Sequence, residues 1–106
     1  MRYFELVIYV PATHAEAVKT AVFAAGAGRQ GNYDCCCFSA AGTGEFRPLD
    51  GSKPFLGETD RRETVAEVRL EMICAAEDRI AAAVAALRKA HPYETPAFHY
   101  YPVEIE

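Results

Sequence analysis

At 106 residues the chain has the length of one domain, whose core would hide roughly two thirds of the unfolded chain's surface. With 51% hydrophobic and 25% charged residues it is not a mainly disordered chain, and its net charge of −4 argues against a general nucleic-acid partner, which needs clustered Lys and Arg. No apolar run approaches the ~20 residues of a membrane span, and no charged stretch followed by an apolar one opens the chain, so no membrane contact is expected and the cytoplasm is the expected compartment.

Phe4, Leu6, Ile8 and Val10 alternate with Tyr3, Glu5, Val7 and Tyr9, the period-two pattern of a strand with one buried face. That strand runs from about Arg2 to Val10 and ends at Pro11. Thr13 with Glu16 reads as a capping box, in which each side chain meets the other residue's free backbone N–H. The helix that follows carries Ala17, Val18, Ala21, Val22 and Ala25 along one side. It stops near Gly26, where Gly26 and Gly28 tolerate the left-handed backbone that closes a helix.

Tyr33 to Ala40, rich in aromatic and small apolar residues, reads as a second strand. From about Ala41 to Glu63, Gly42, Gly44, Pro48, Gly51, Pro54 and Gly57 predict a long loop with room for a short hairpin. Loops beyond about 12 to 15 residues are uncommon in compact domains and are usually functional or disordered. Phe46, Leu49, Phe55 and Leu56 argue against disorder.

Val68, Leu70, Met72 and Cys74 alternate with Glu67, Arg69, Glu71 and Ile73, giving a third strand with a charged outer face. In the next helix Glu77 and Asp78 suit the positive end of the dipole, Ile80, Val84 and Leu87 form the apolar stripe, and Arg88 and Lys89 suit the negative end. Pro92 stops this helix at about Ala90 or His91. Ala97 to Ile105 makes the last strand, where Pro102 fits an edge or a bulge.

The two halves repeat as strand, helix, strand. Right-handed crossovers turn that order into an α+β, ferredoxin-like split βαβ repeat, a four-stranded antiparallel sheet with two helices on one face. The other face is left uncovered. Tyr3, Val7, Tyr9, Tyr33, Val65, Ile73 and Tyr101 are assigned to it, and so much apolar surface predicts burial against further copies of the chain.

Two segments carry candidate chemistry. In the long loop, Gly42 and Gly44 let backbone N–H groups approach an anion, with Arg47 or Lys53 adding charge. The plainer reading is that Phe46, Pro48, Phe55 and Leu56 pin the loop to its own domain or to a neighbouring subunit. In the run from His91 to Pro96, a protonated imidazole is favoured at a helix C-terminus, and Glu94 has both His91 and Arg47 as possible partners. There the plainer reading is that two prolines and a buried Tyr93 set the shape of the turn.

Cys35, Cys36 and Cys37 are consecutive and Cys74 stands apart, so no spaced disulfide framework is visible and reduced thiols are expected. Consecutive strand residues alternate faces, so one strand chelates a soft metal poorly and core filling is the simpler role. Thiolates gathered from several subunits at an axis are the alternative. No His lies nearby in sequence to activate a Cys nucleophile.

Four ordered segments carry a resemblance over essentially the whole chain. They are Gly28-Arg29-Gln30-Gly31-Asn32-Tyr33, Gly42-Thr43-Gly44-Glu45-Phe46-Arg47-Pro48, Pro54-Phe55-Leu56-Gly57-Glu58 and His91-Pro92-Tyr93-Glu94-Thr95-Pro96-Ala97. Together they resemble the inserted domain of Nif3-like proteins of the bacterial YqfO type, here as a chain of its own. The last segment is also similar to the end of the second helix in CutA divalent-cation-tolerance proteins. The resemblance implies a single CutA-like or PII-like domain over residues 1–106 and a homotrimer. It carries no hydrolase activity across, because nothing here resembles the body whose His, Asp and Glu residues hold two metal ions in the full-length relatives. Cys35 departs from the family pattern, where His or a polar residue is expected.

The expected function is therefore a non-catalytic homo-oligomer that takes a small ligand, a metal ion or a protein partner at clefts between subunits. Arg47, His91, Tyr93, Glu94, Gly42 and Gly44 are the expected binding residues, with Arg47 as an anion contact and Glu94 as an acceptor or a ligand to a divalent metal. No cofactor is required. The alternatives are a purely structural association module and a small hydrolase using Glu94 and His91 as an acid-base pair, for which the sequence offers no nucleophile or oxyanion site.

Overall fold

A computed structural model describes residues 2–106. It places β1 (Tyr3–Pro11), a 3-10 turn (Ala12–His14), α1 (Ala15–Ala24), β2 (Phe38–Phe46), β3 (Glu63–Ala75), α2 (Glu77–Ala90) and β4 (Ala97–Val103) in chain order. All neighbouring strands are antiparallel, in the order β2-β3-β1-β4. The ferredoxin-like α+β architecture expected from the repeat is the one adopted.

Register assigns the two faces. Leu6 sits opposite Met72 of β3 and Tyr100 of β4, so the even-numbered residues of these three strands share one side. On it Leu6, Ile8, Val10 and Leu70 are fully buried against Val18 and Val22 of α1 and Leu87 of α2. Removing each such side chain from water stabilises the fold by about 1.5–3 kcal/mol. The odd-numbered residues, among them Tyr9, Ile73 and Tyr101, face away from the helices.

Several boundaries differ from the sequence expectation. No capping box forms: Thr13 Oγ1 lies 2.8 Å from His14 Nδ1, Glu16 pairs with Lys19 at 2.6 Å, and α1 begins after His14. Pro11 still belongs to β1, so the chain leaves the sheet through a 3-10 turn that absorbs Thr13. The buried stripe shifts with it, from Ala17, which is exposed, to Ala15.

β2 departs furthest, covering Phe38–Phe46 instead of Tyr33 to Ala40 and shortening the loop to residues 47–62. Gly42 and Gly44 are thus strand residues. Local propensity opposes this, and the partner supplies what propensity lacks: β3 starts at Glu63 and pairs with β2 from Phe46↔Glu63 to Phe38↔Glu71. The cysteine run lies on the connection before β2, with Cys35 at φ 56°, so the strand argument for its alternation does not apply. Tyr33 leaves the sheet too and is 76% exposed.

β1 pairs with β3 only as far as Pro11↔Glu67, so the hairpin end beyond Glu67 overhangs the sheet and the molecule is long, 46 × 24 × 22 Å. Pro102 lies on β4, which pairs with β1 alone, an edge position that spares a strand its missing N–H. Among the described residues no helix is long and apolar enough to cross a membrane.

Candidate binding site

Where β1 stops and the hairpin continues, a gap opens that two segments close. Residues 47–62 fold back on themselves through Asp60 N–H to the Pro48 carbonyl (2.7 Å) and Ser52 N–H to the Leu49 carbonyl (3.0 Å). Lys53 N–H donates to Glu94 Oε1 at 3.1 Å, which ties this loop to the turn after α2. Phe55 packs edge-on against His14 with ring centroids 5.3 Å apart, and Tyr93 stands 5.5 Å from Phe46 and 6.4 Å from Phe55. Of the apolar loop residues that argued against disorder, Phe55 packs onto its own domain, while Leu49 and Leu56 are exposed.

The half-open cavity between the two segments measures about 420 Å³, a size typical of small-molecule sites. Tyr9, Phe46, Pro48, Pro54, Phe55 and Tyr93 form apolar walls, and Glu45, Glu67 and Glu94 are the charged residues of the lining. Glu67 reaches it because Gly44 has no side chain. A Cβ at Gly44 would overlap the Glu67 carboxylate, so the small residue on β2 gives the acid of β3 its place. Tyr93 donates its hydroxyl to Glu67 Oε2 at 3.4 Å, and burial together with the Glu67 charge pushes the phenol up to about 12, so Tyr93 stays a neutral donor.

His91 lies behind this wall and is buried. Its Nδ1 accepts the Tyr93 backbone N–H at 3.2 Å, which leaves the proton on Nε2, donated to the Tyr9 carbonyl at 2.8 Å. Burial is the main influence on its titration and holds it below the usual histidine range. The protonated imidazole expected at the helix end is therefore replaced by a neutral one that joins β1 to the turn and aims Tyr93.

Of the six residues singled out from the sequence, the fold brings Gly44, Tyr93 and Glu94 together in the lining, with His91 directly behind. Arg47 is exposed and lies outside the lining, and Gly42 borders a smaller depression of about 160 Å³ beside Arg69. Glu94 meets neither His91 nor Arg47; its partner is the Lys53 backbone. Tyr9 and Glu67 were missed as site residues because each read only as a member of an alternating strand. The cysteines stand apart from the cavity, and burial pushes the Cys74 thiol up to about 11, which keeps it protonated in the core. No group of three or more His, Cys, Asp or Glu among the described residues is placed to hold a metal ion.

A four-stranded antiparallel sheet with two helices on one face is the fold of CutA-like and PII-like proteins. CutA from Archaeoglobus fulgidus superposes with a TM-score of 0.67 at 16% identity, covering 98% of this chain and 86% of that one, and Bacillus subtilis GlnK with 0.63 at 8%, covering 97% and 86%. A Bacillus cereus protein related to NIF3 is nearer in sequence, with a TM-score of 0.82 at 39% identity over 98% of this chain and 26% of its own. Among curated relatives, the GTP cyclohydrolase 1 type 2 homolog of Halalkalibacterium halodurans is 44% identical over 97% of this chain and 27% of its own length. That of Bacillus subtilis is 47% identical over 94% and 26%. No family model matches. The chain corresponds to one domain of Nif3-related proteins, matching it over nearly the whole of its own length, and spans about a quarter of the length of the relatives it matches.

Proposed function

We propose that this chain is a single domain serving as a self-associating, non-catalytic module that binds a small organic molecule in the cavity between the β2–β3 hairpin, the 47–62 loop and the His91–Pro96 turn. The observation that carries the reading is the construction of that cavity. Three of the four family-like segments, far apart in sequence, converge on one apolar space of about 420 Å³ with carboxylates at its edge. Tyr93, Glu94 and Gly44 are its binding residues in this reading, His91 their support.

The names of the relatives point in other directions, and the lining argues against each. GlnK has been solved with ATP, yet no Lys or Arg lines this cavity to meet a triphosphate. CutA is named for divalent-cation tolerance, whereas the carboxylates here are interleaved with aromatic rings. The relatives' cyclohydrolase name describes proteins about four times as long, and His91, behind the cavity wall, is engaged at both nitrogens.

Self-association draws its support from the sheet face opposite the helices, where Phe38 is 61% and Tyr101 43% exposed. The cavity opens at the end of this face, so a second copy docked there would border it, which accords with a cleft between subunits. A trimer is the assembly that the CutA-like and PII-like fold suggests, and the cytoplasm suits its free thiols.

A fragment library followed by ¹H–¹⁵N spectra tests the binding reading. Compounds are expected to shift the amides of Lys53, Phe55, Tyr93 and Glu94 together, and Phe55→Ala is expected to weaken them about tenfold. A library that leaves those amides unmoved, or hits that Phe55→Ala leaves untouched, would overturn it.

A further inference from the structure

Resting on the reading that the cavity binds a small molecule, the geometry points to its ligand class: an organic cation, a primary ammonium or amidinium carried on a planar apolar body. Three features of the lining carry this. Phe46, Phe55 and Tyr93 stand with centroids 5.5 and 6.4 Å apart, and aromatic faces attract cations through their quadrupoles. All three charged groups of the lining are carboxylates, and no Lys, Arg or His is among them.

The third feature is the state of those carboxylates. Glu45 is paired with Arg62 at 3.3 Å, and Glu94 accepts the Lys53 N–H. Glu67 has no cationic partner among the described residues, since Arg69, two positions on, is engaged by Glu71 at 2.8 Å. The one hydrogen bond Glu67 receives, from Tyr93, is long at 3.4 Å, and a carboxylate has about four acceptor sites. Half-buried at the edge of an aromatic cavity, Glu67 therefore presents an uncompensated negative charge where a ligand's planar body would lie. An unpaired carboxylate beside aromatic faces attracts a cation and repels an anion. Gly44 holds the arrangement open, because any larger residue there would push the Glu67 carboxylate aside.

Three probes of one shape and different charge decide the matter: tryptamine, tryptophol and indole-3-acetate, titrated calorimetrically and by ¹H–¹⁵N spectra against the full chain. Tryptamine is expected to bind at least tenfold more tightly than tryptophol, with indole-3-acetate weakest. Glu67→Gln, which keeps the shape, is expected to reduce the preference to less than threefold, and Phe55→Ala to weaken all three, tryptamine most. Tryptophol or indole-3-acetate binding as tightly as tryptamine would overturn the cation inference and leave the binding reading standing. If none of the probes moves the Phe55 and Tyr93 amides, or if tryptamine binds undiminished in both variants, the binding reading falls as well.

Discussion

His91 shows how a side chain with catalytic associations can be wholly occupied by structure. Both ring nitrogens are engaged, one as acceptor from Tyr93 N–H and one as donor to the Tyr9 carbonyl, so protonation would cost the first bond. Its proton affinity is lowered chiefly by burial, against the Tyr9 bond and Glu67, which act to raise it, and His14 adds the smallest influence, a lowering one. A folded-state value below the unfolded one means that the unfolded chain binds the extra proton first. The contribution of His91 is therefore complete above about pH 6.5, the unperturbed value, and is lost as the pH falls through the folded value. Urea unfolding at pH 7.5 and 5 is expected to show the wild type less stable at the lower pH. His91→Leu is expected to reduce that difference and to cost about 2 kcal/mol at pH 7.5, the scale of buried polar groups left without partners.

The connection between α1 and β2 is held by one glycine. Gly28 donates its N–H to the Ile73 carbonyl at 2.8 Å and accepts from Cys36 N–H at 2.9 Å, with φ at +81°. A Cβ there would stand 2.8 Å from the Cys36 carbonyl oxygen and 3.0 Å from its nitrogen, both backbone atoms that cannot swing away. Gly31 shares the left-handed backbone, at +57°, but faces open space. Gly28→Ala is expected to cost roughly 3 kcal/mol and Gly31→Ala about 1 kcal/mol, the second being backbone strain alone. Thermal melts check this, the first variant falling well over 10 °C at roughly 4–8 °C per kcal/mol. In the 47–62 loop, Glu94→Ala removes the acceptor for Lys53 N–H and is expected to speed exchange of that amide about fivefold, read by hydrogen exchange.

For the molecule as a whole, the decisive surface is the sheet face away from the helices. It is less uniformly apolar than the strand pattern implied. Val7 is only 5% exposed between its register partners Glu71 and His99, Tyr101 is hydrogen-bonded to Glu5, and Arg69 and Glu71 form a pair along β3. Apolar area concentrates instead at Phe38 and Tyr101, with Ile73 half-buried on the same face. Ile73→Glu combined with Phe38→Glu is expected to convert an associated species to a monomer in light scattering while far-ultraviolet dichroism stays unchanged. A wild type that scatters as a monomer would remove the association reading.

Strands β1 and β3 and helix α2 were legible because their periodicity is that of their own burial: Phe4, Leu6, Ile8 and Val10 alternate because a core lies on one side. The glycine-rich β2 was not, since Gly42 and Gly44 have little strand preference and are extended only through the ladder to β3. The site divides in the same way. Tyr93 and Glu94 stood out in an unusual Pro-bounded run, and the apolar loop residues announced that the loop packs somewhere. That Glu67 would lie over Gly44, that Glu94 would meet Lys53 and that Arg47 would face outward depended on long-range register and loop closure. Local alternation writes burial into a chain directly, whereas a cavity made by segments tens of residues apart exists only once the backbone between them has taken its path.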